Sequence, residues 1–335
     1  MNKPKVVILG ITDWAGSGYN ACRAINTVGE FDCRHITLYD HMYEYPIDIL
    51  VRYFPKPKNE VLENRVLKVS GDNRYGEVVE VLQEADIIHL WNTLPSDLDL
   101  MSLGLPIDYR KVRVVTMTGS FYRNQHTQVN ALLKKWDNVK LTVQDILFDF
   151  SHEINSVFIP HAVDIDFFHP VEKRGKVIGT YKTAYKADIR TSDRDIVKLR
   201  DVLRKFSDWR VDLDYSMPWA ERMEKLRYCA IFIQDISPYI GVWGRSTLEA
   251  CAYGIPTLQN YSQQVSLNAD GSLGQIPMIQ VDADTLETEL RKLTEDEPYR
   301  KEVGRKSREW VKEHYSYSVV GKMYSGIYQQ VMDEI

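Results

Sequence analysis

Short apolar runs and longer amphipathic stretches alternate from one end of the chain to the other. In the first half, strand-like runs fall at 6–9, 36–39, 85–90, 112–117, 140–143 and 156–159. A second series starts at 176–180 and continues through 209–213, 230–234, 255–259 and 277–281. Helical patterns lie between them, clearest at 193–206, 221–227, 298–314 and 318–334. Runs that are apolar throughout suit strands buried on both faces, and their alternation with helices predicts parallel sheets covered by helices. The expected fold is therefore α/β, with two Rossmann-like, doubly wound parallel-sheet domains. Their boundary falls in the loop 163–176, which holds Pro170 and Gly175. Two such domains leave a cleft between the carboxyl ends of their strands, where ligands of doubly wound sheets bind.

Composition narrows the function classes without choosing one. A length of 335 residues suits two domains. With 44% hydrophobic residues, the chain has no apolar run long enough to cross a bilayer. Its start, Met1-Asn2-Lys3-Pro4-Lys5, passes directly into a strand-like run without the apolar region of a signal peptide. Cys22, Cys33, Cys229 and Cys251 show no CxxC spacing, so neither a zinc site nor a disulfide framework is expected, and the predicted location is the cytoplasm. The net charge of −5 offers no general attraction to nucleic acid or anionic lipid, which leaves only a local basic patch as a route to either.

The chemistry concentrates after the run 229–235. There Gly241-Val242-Trp243-Gly244-Arg245-Ser246-Thr247 leads into Leu248-Glu249-Ala250-Cys251-Ala252-Tyr253-Gly254-Ile255-Pro256. Ser246 or Thr247 is expected to cap a helix that stops at Gly254 and Pro256. The free N–H groups and dipole of such a helix start suit a phosphate, Gly241 and Gly244 let backbone approach it, and Glu249 is placed to accept from a ribose diol. The same pattern also fits an ordinary strand–loop–helix unit with a solvated glutamate. In the first half, Trp14-Ala15-Gly16-Ser17-Gly18-Tyr19-Asn20 lacks the G-x-G-x-x-G spacing, which excludes a dinucleotide fingerprint. By themselves Gly16, Ser17 and Gly18 read as a turn with Ser17 capping the helix that follows. No metal motif is present, and His89, His126, His152 and His161 read as structural or exposed.

Several of these segments resemble the retaining glycosyltransferases of the GT-B fold, particularly the large family 4 group, over nearly the whole chain. Ala85-Asp86-Ile87-Ile88-His89 is similar to a family strand, and Phe158-Ile159-Pro160-His161-Ala162-Val163-Asp164 through Pro170 resembles the connection that closes the first domain. Leu248 through Pro256 resembles the helix of the donor domain, and the last helix resembles the one that crosses back. The resemblance implies an acceptor-side domain at 1–168, a donor domain at 169–316 and a crossing helix at 317–335, the two sheets facing each other across a cleft. It implies metal-independent transfer of a hexosyl or pentosyl group from a nucleotide diphosphate sugar, with UDP or GDP as the carrier and no other cofactor.

By position, the resemblance gives Glu249 the donor ribose and the start of its helix, Gly244 through Thr247, the diphosphate, with Arg245 as an added cation. It places Gly16, Ser17 and Gly18 against the donor phosphate or the acceptor, and Thr118 and Trp91 on the acceptor side. Arg190, or Lys186 as second candidate, is implied as the cation on the leaving diphosphate; both also fit solvated loop charges. Two positions depart from the family. Gly241 stands where its first glutamate contacts the transferred sugar, which shifts that contact to Asp235, and Thr118 stands where it carries a histidine. These departures also suit a catalytically silent nucleotide-sugar-binding or scaffold subunit. An epimerase of the same fold would need acid and base carboxylates in the cleft. The acceptor is unidentified: a glycan, a lipid, a small molecule or a modified nucleobase. Oligomeric state is not legible.

Overall fold

The structure, a computed structural model, describes residues 3–52, 75–94, 105–136, 139–143, 156–180, 193–212, 217–234, 236, 244–261 and 276–334. The chain divides into two compact units, Met1–Ala162 together with Tyr317–Ile335, and Val163–Ser316.

In the first unit, β1 (Lys5–Thr12), β2 (Asp32–Tyr39), β3 (Ile49–Arg52), β4 (Ile87–Trp91), β5 (Val112–Met117), β6 (Lys140–Val143) and β7 (Val157–Phe158) form a parallel sheet. Their order is β3-β2-β1-β4-β5-β6-β7, so the winding direction reverses between β1 and β4. Helices α1 (Ser17–Val28), α2 (Tyr75–Glu84) and α3 (Gly119–Leu133) accompany it among the described residues, together with the last helix of the chain. Strand geometry sends successive side chains to opposite faces. Thus Val7 and Leu9 enter one core with Val78, Leu82 and Val129, while Val6 and Ile8 enter the other with Ala21, Ala24 and Ile25.

The second unit holds β8 (Val177–Thr180), β9 (Arg210–Asp212), β10 (Ile231–Ile233), β11 (Thr257–Gln259) and β12 (Ile279–Gln280), again parallel, in the order β12-β11-β10-β8-β9. Its helices are α4 (Asp193–Arg204), α5 (Trp219–Arg227), α6 (Arg245–Ala252), α7 (Leu286–Glu295) and α8 (Glu297–Tyr315). The winding reverses between β8 and β10.

The C-terminal end of α6 is fixed firmly. Its last carbonyls have no partners within the helix. Arg174 donates to the carbonyls of Gly254, at 3.1 Å, and Tyr253, while Arg308 donates to those of Ala252, Phe168 and, at 3.1 Å, Ile165. Burial lowers the Arg174 guanidinium to about 10. Gly304 on α8 lies so near Gly254 that a Cβ there would stand 3.0 Å from the Gly254 carbonyl carbon and nearer still to its oxygen.

The last helix, α9 (Tyr317–Asp333), returns to the first unit and packs on α1 through Val320, Tyr324, Ile327 and Tyr328. His89 of β4 ties it to the sheet: Nδ1 bonds the Tyr328 hydroxyl and Nε2 the Thr116 hydroxyl, both at 2.7 Å. This histidine is fully buried and structural, and burial lowers its pKa to about 3. Below about pH 6.5 the unfolded chain takes up a proton that folded His89 refuses until about pH 3, so unfolding free energy falls by ~1.4 kcal/mol per pH unit. His35, also lowered by burial, acts in the same sense. His89→Gln should therefore reduce the slope of stability against pH by about one proton between about pH 6 and about pH 4, as read by urea unfolding. An unchanged slope would mean that His89 titrates normally.

Among the described residues no helix is long and apolar enough to cross a membrane.

Candidate functional site

Open parallel sheets bind ligands at the carboxyl ends of their strands where the winding reverses. In the second unit this point lies at the ends of β8 and β10. Lys186, Arg190, Asp235 and Gly241 fall in the segments 181–192, 235 and 237–243, which follow β8 and β10 in the sequence and lie outside the described residues. What is described is the start of α6. Gly244 is its N-cap, extended at φ −80° and ψ 174°, and Thr247 N–H bonds the Gly244 carbonyl at 3.0 Å. The helix thus begins earlier than a Ser246 or Thr247 cap would have it. Thr247 is fully buried and its hydroxyl donates to Gln259 Oε1 at 2.6 Å, tying α6 to β11 instead of capping. Gly244 brings no side-chain oxygen of its own, and no side chain among the described residues caps the first N–H groups at the positive end of the dipole.

Two polar atoms at this end are buried without a hydrogen-bond partner among the described residues, Gln234 Oε1 and Arg245 Nη1. Gln234 directly follows β10, and a Cβ at Gly244 would stand 4.0 Å from its Nε2. Orphaned buried polar groups are rare and mark places where a partner is missing. Ser246, half-buried, completes the first turn.

Glu249 is not the solvated side chain of the sequence pattern. It is 2% exposed, and its Oε1 accepts from Arg245 Nε at 2.9 Å and from Trp219 Nε1 at 3.0 Å. Phe167 stacks on Trp219 with ring centroids 5.4 Å apart. Trp219 carries no motif; its only signal in the sequence is its place at the start of a helix after Pro218.

The corresponding helix start in the first unit is closed. Asp13, not Ser17, caps α1: its carboxylate accepts from the N–H groups of Gly18 and Tyr19, each at 2.9 Å. The Ser17 hydroxyl donates to the Trp14 carbonyl at 2.9 Å and accepts from Trp91 Nε1 at 3.0 Å. A Cβ on Gly18 would stand 2.8 Å from His35 Nε2 and 3.3 Å from the Trp91 ring, so this glycine serves packing. Gly16 carries the left-handed turn, φ 61°, that starts the helix. Where a carboxylate already holds the N–H groups, a phosphate meets repulsion instead of donors. Asp13 was visible as a capping residue before the helix, since Asp ranks with Ser at N-caps. Trp91 lies in the core at 1% exposure, and Thr118, 5% exposed, precedes α3 with its N–H on Asn92 Oδ1 at 3.3 Å. Buried to this degree, neither side chain is displayed on a surface for an acceptor. No group of three or more metal-ligating side chains occurs among the described residues.

No protein-family model and no curated protein sequence matches the chain. Solved structures do match its fold. Sucrose-phosphate synthase from Thermosynechococcus elongatus superposes with a TM-score of 0.58 at 11% identity, over 99% of this chain and 100% of that one. A glycosyltransferase from Rickettsia africae ESF-5 gives 0.58 at 13% identity, over 99% of each chain. Anabaena HepE, in complex with UDP and glucose, gives 0.56 at 11% identity, over 98% of this chain and 100% of that one. The fold is GT-B. The two parallel sheets, each with one reversal of winding, are the two Rossmann-like halves of that fold. In GT-B terms the open start of α6 belongs to the second half, and the Asp13-capped start of α1 to the first.

Proposed function

We propose that this GT-B protein is a retaining glycosyltransferase that takes its sugar from a nucleotide diphosphate. The observation that carries the reading is the start of α6 beside a reversal of winding: among the described residues no side chain caps its N–H groups, and Gln234 Oε1 and Arg245 Nη1 are buried next to them without a partner. In the proposed complex the N–H groups of Arg245 and Ser246 bond the diphosphate oxygens and Arg245 Nη1 adds a charge-assisted bond. Glu249 keeps Oε1 on Trp219 and offers Oε2 to the ribose hydroxyls. UDP is the first carrier to test, since HepE of the same fold is a UDP complex; GDP is the second. The donor is the substrate, and the reading needs no metal or further cofactor. The proposed setting is the cytoplasm.

In the transfer step the acceptor oxygen bonds the sugar's anomeric carbon as the bond from that carbon to the diphosphate oxygen breaks. The electron pair leaves with the diphosphate, and the acceptor proton passes to the departing oxygen. Charge therefore builds on the diphosphate in the transition state, where the helix dipole and fixed cations lower its energy. We assign that cationic role to Arg190 and Lys186, and contact with the transferred sugar to Asp235 in place of Gly241.

The test is donor hydrolysis by the purified chain with UDP- and GDP-linked hexoses and pentoses. Slow release of one nucleoside diphosphate, with the freed sugar first appearing in the donor's anomeric configuration, is the expected result. Arg190→Ala and Lys186→Ala should each lower that rate by roughly 100-fold while changing donor affinity far less. Negligible effects of both would remove them from the site. Failure of every nucleoside diphosphate to bind would end the reading.

A further inference from the structure

Gln234 directly follows β10, at the carboxyl end of the central strand of the second sheet. Its N–H bonds the Leu258 carbonyl of β11 at 3.0 Å, so its main chain is fixed. Ile231 and Ile233 enter the core with Leu199 and Leu286, and alternation along a strand sends Gln234 to the opposite face. There its amide meets the start of α6: a Cβ at Gly244, the N-cap, would stand 4.0 Å from Nε2. The residue as a whole is half-buried, which puts the amide at the rim of the covered region, yet Oε1 is buried without a hydrogen-bond partner among the described residues.

Few groups satisfy that atom. An amide oxygen only accepts, so its partner must be a donor. The oxygens of an ionised diphosphate also only accept, and they would face Oε1 with like partial charge. Arg245 Nη1, the other buried atom without a partner at this helix start, is the reverse: a donor that calls for an acceptor. Two such atoms of opposite kind at one helix start fit a ligand that carries acceptors and donors together.

A nucleotide sugar is such a ligand. Its diphosphate offers acceptors to Arg245 and the helix N–H groups, and it carries hydroxyls on either side, those of the ribose and those of the transferred sugar. Glu249, which takes the ribose in the proposed complex, lies about 7.5 Å farther along the helix axis than Gly244. Gln234, back at the N-cap, is left with the sugar beyond the diphosphate. Gly241 brings no side chain to that sugar. A neutral amide also suits the place better than a carboxylate, because it sets no like charge against the diphosphate.

We propose that Gln234 is a specificity-determining residue of the donor site, whose Oε1 accepts a hydrogen bond from a hydroxyl of the transferred sugar. This rests on the glycosyltransferase reading, and it requires a donor sugar that carries a hydroxyl within reach of the diphosphate end of α6.

The test is calorimetry of the full chain, wild type and Gln234→Met, with UDP, GDP, UDP-glucose, UDP-galactose, UDP-N-acetylglucosamine and GDP-mannose. Methionine is close to glutamine in length but brings no carbonyl. For the diphosphate that binds, the affinity of at least one of its sugars relative to the bare diphosphate should fall at least roughly tenfold in the variant. Urea unfolding without ligand should give the variant a midpoint equal to or above that of the wild type, because a buried carbonyl without a donor has been removed. A smaller change in relative affinity for every sugar overturns the inference and leaves the transferase reading standing; a contact with the ribose, for instance, would weaken the bare diphosphate equally. A lower unfolding midpoint overturns it as well, since the amide would then be holding the fold. Failure of the wild type to bind either diphosphate overturns both.

Discussion

Gly321→Ala should be among the most damaging single substitutions in this chain, costing about 3 kcal/mol or more of stability. A Cβ at that position would stand 2.7 Å from the Ala24 carbonyl carbon, 2.8 Å from Val28 Cγ2 and nearer still to the Ala24 oxygen. The obstacle is the main chain of α1, which cannot swing aside as a side-chain tip can. Separating α1 from α9 would loosen Val320, Tyr324, Ile327 and Tyr328 from Ala21, Ala24 and Ile25 at once. Gly326→Ala in the same helix is the control. Nothing lies within 4 Å of its Cβ position and the residue is exposed, so alanine there should add about 0.5–1 kcal/mol through helix propensity. Urea unfolding of the two variants should move their midpoints in opposite directions. Equal midpoints would mean that α9 does not lie against α1 as described.

Glu249→Ala should lose about 3–5 kcal/mol, because it strands Arg245, whose side chain is 9% exposed, and leaves the Trp219 N–H without its acceptor. The cost comes from the orphaned partners more than from the value of the pair. Replacing both residues together, as in Arg245→Met with Glu249→Leu, should therefore cost far less than the sum of the two single losses. A thermodynamic cycle by urea unfolding reads this coupling; simple additivity would contradict the buried pair. Nucleotide affinity is better read in Glu249→Gln, which keeps an acceptor for Trp219, than in an alanine variant that has lost its local structure.

Much of the fold is legible in the sequence because both sheets are covered on both faces. The pattern gives β5 (Val112–Met117) and β6 (Lys140–Val143) to the residue. β3 (Ile49–Arg52), as short as β6, is not marked by the pattern, and α3 has too sparse an apolar stripe beyond the end of β5. The glycine loop before α6 and the helix after it are legible as a site because the chemistry is local. The burial of Glu249 is not, since Trp219 lies 30 residues away in the chain. Helix caps mislead where a neighbouring residue competes for the role. At α1 the capping carboxylate reaches across from Asp13, and at α6 Thr247 is drawn to Gln259. Trp91 resembles a surface aromatic until β4 is placed in the middle of the sheet, where its side chain points toward α1 and α9.

The central claim is that a nucleoside diphosphate binds the open start of α6 and not the Asp13-capped start of α1. Amide hydrogen exchange of the full chain with and without saturating UDP, repeated with GDP, tests it directly. Protection of the peptide covering 244–248, with 16–20 unchanged, is the predicted result. Protection at 16–20 alone, or none at either helix start with both nucleotides, would contradict it.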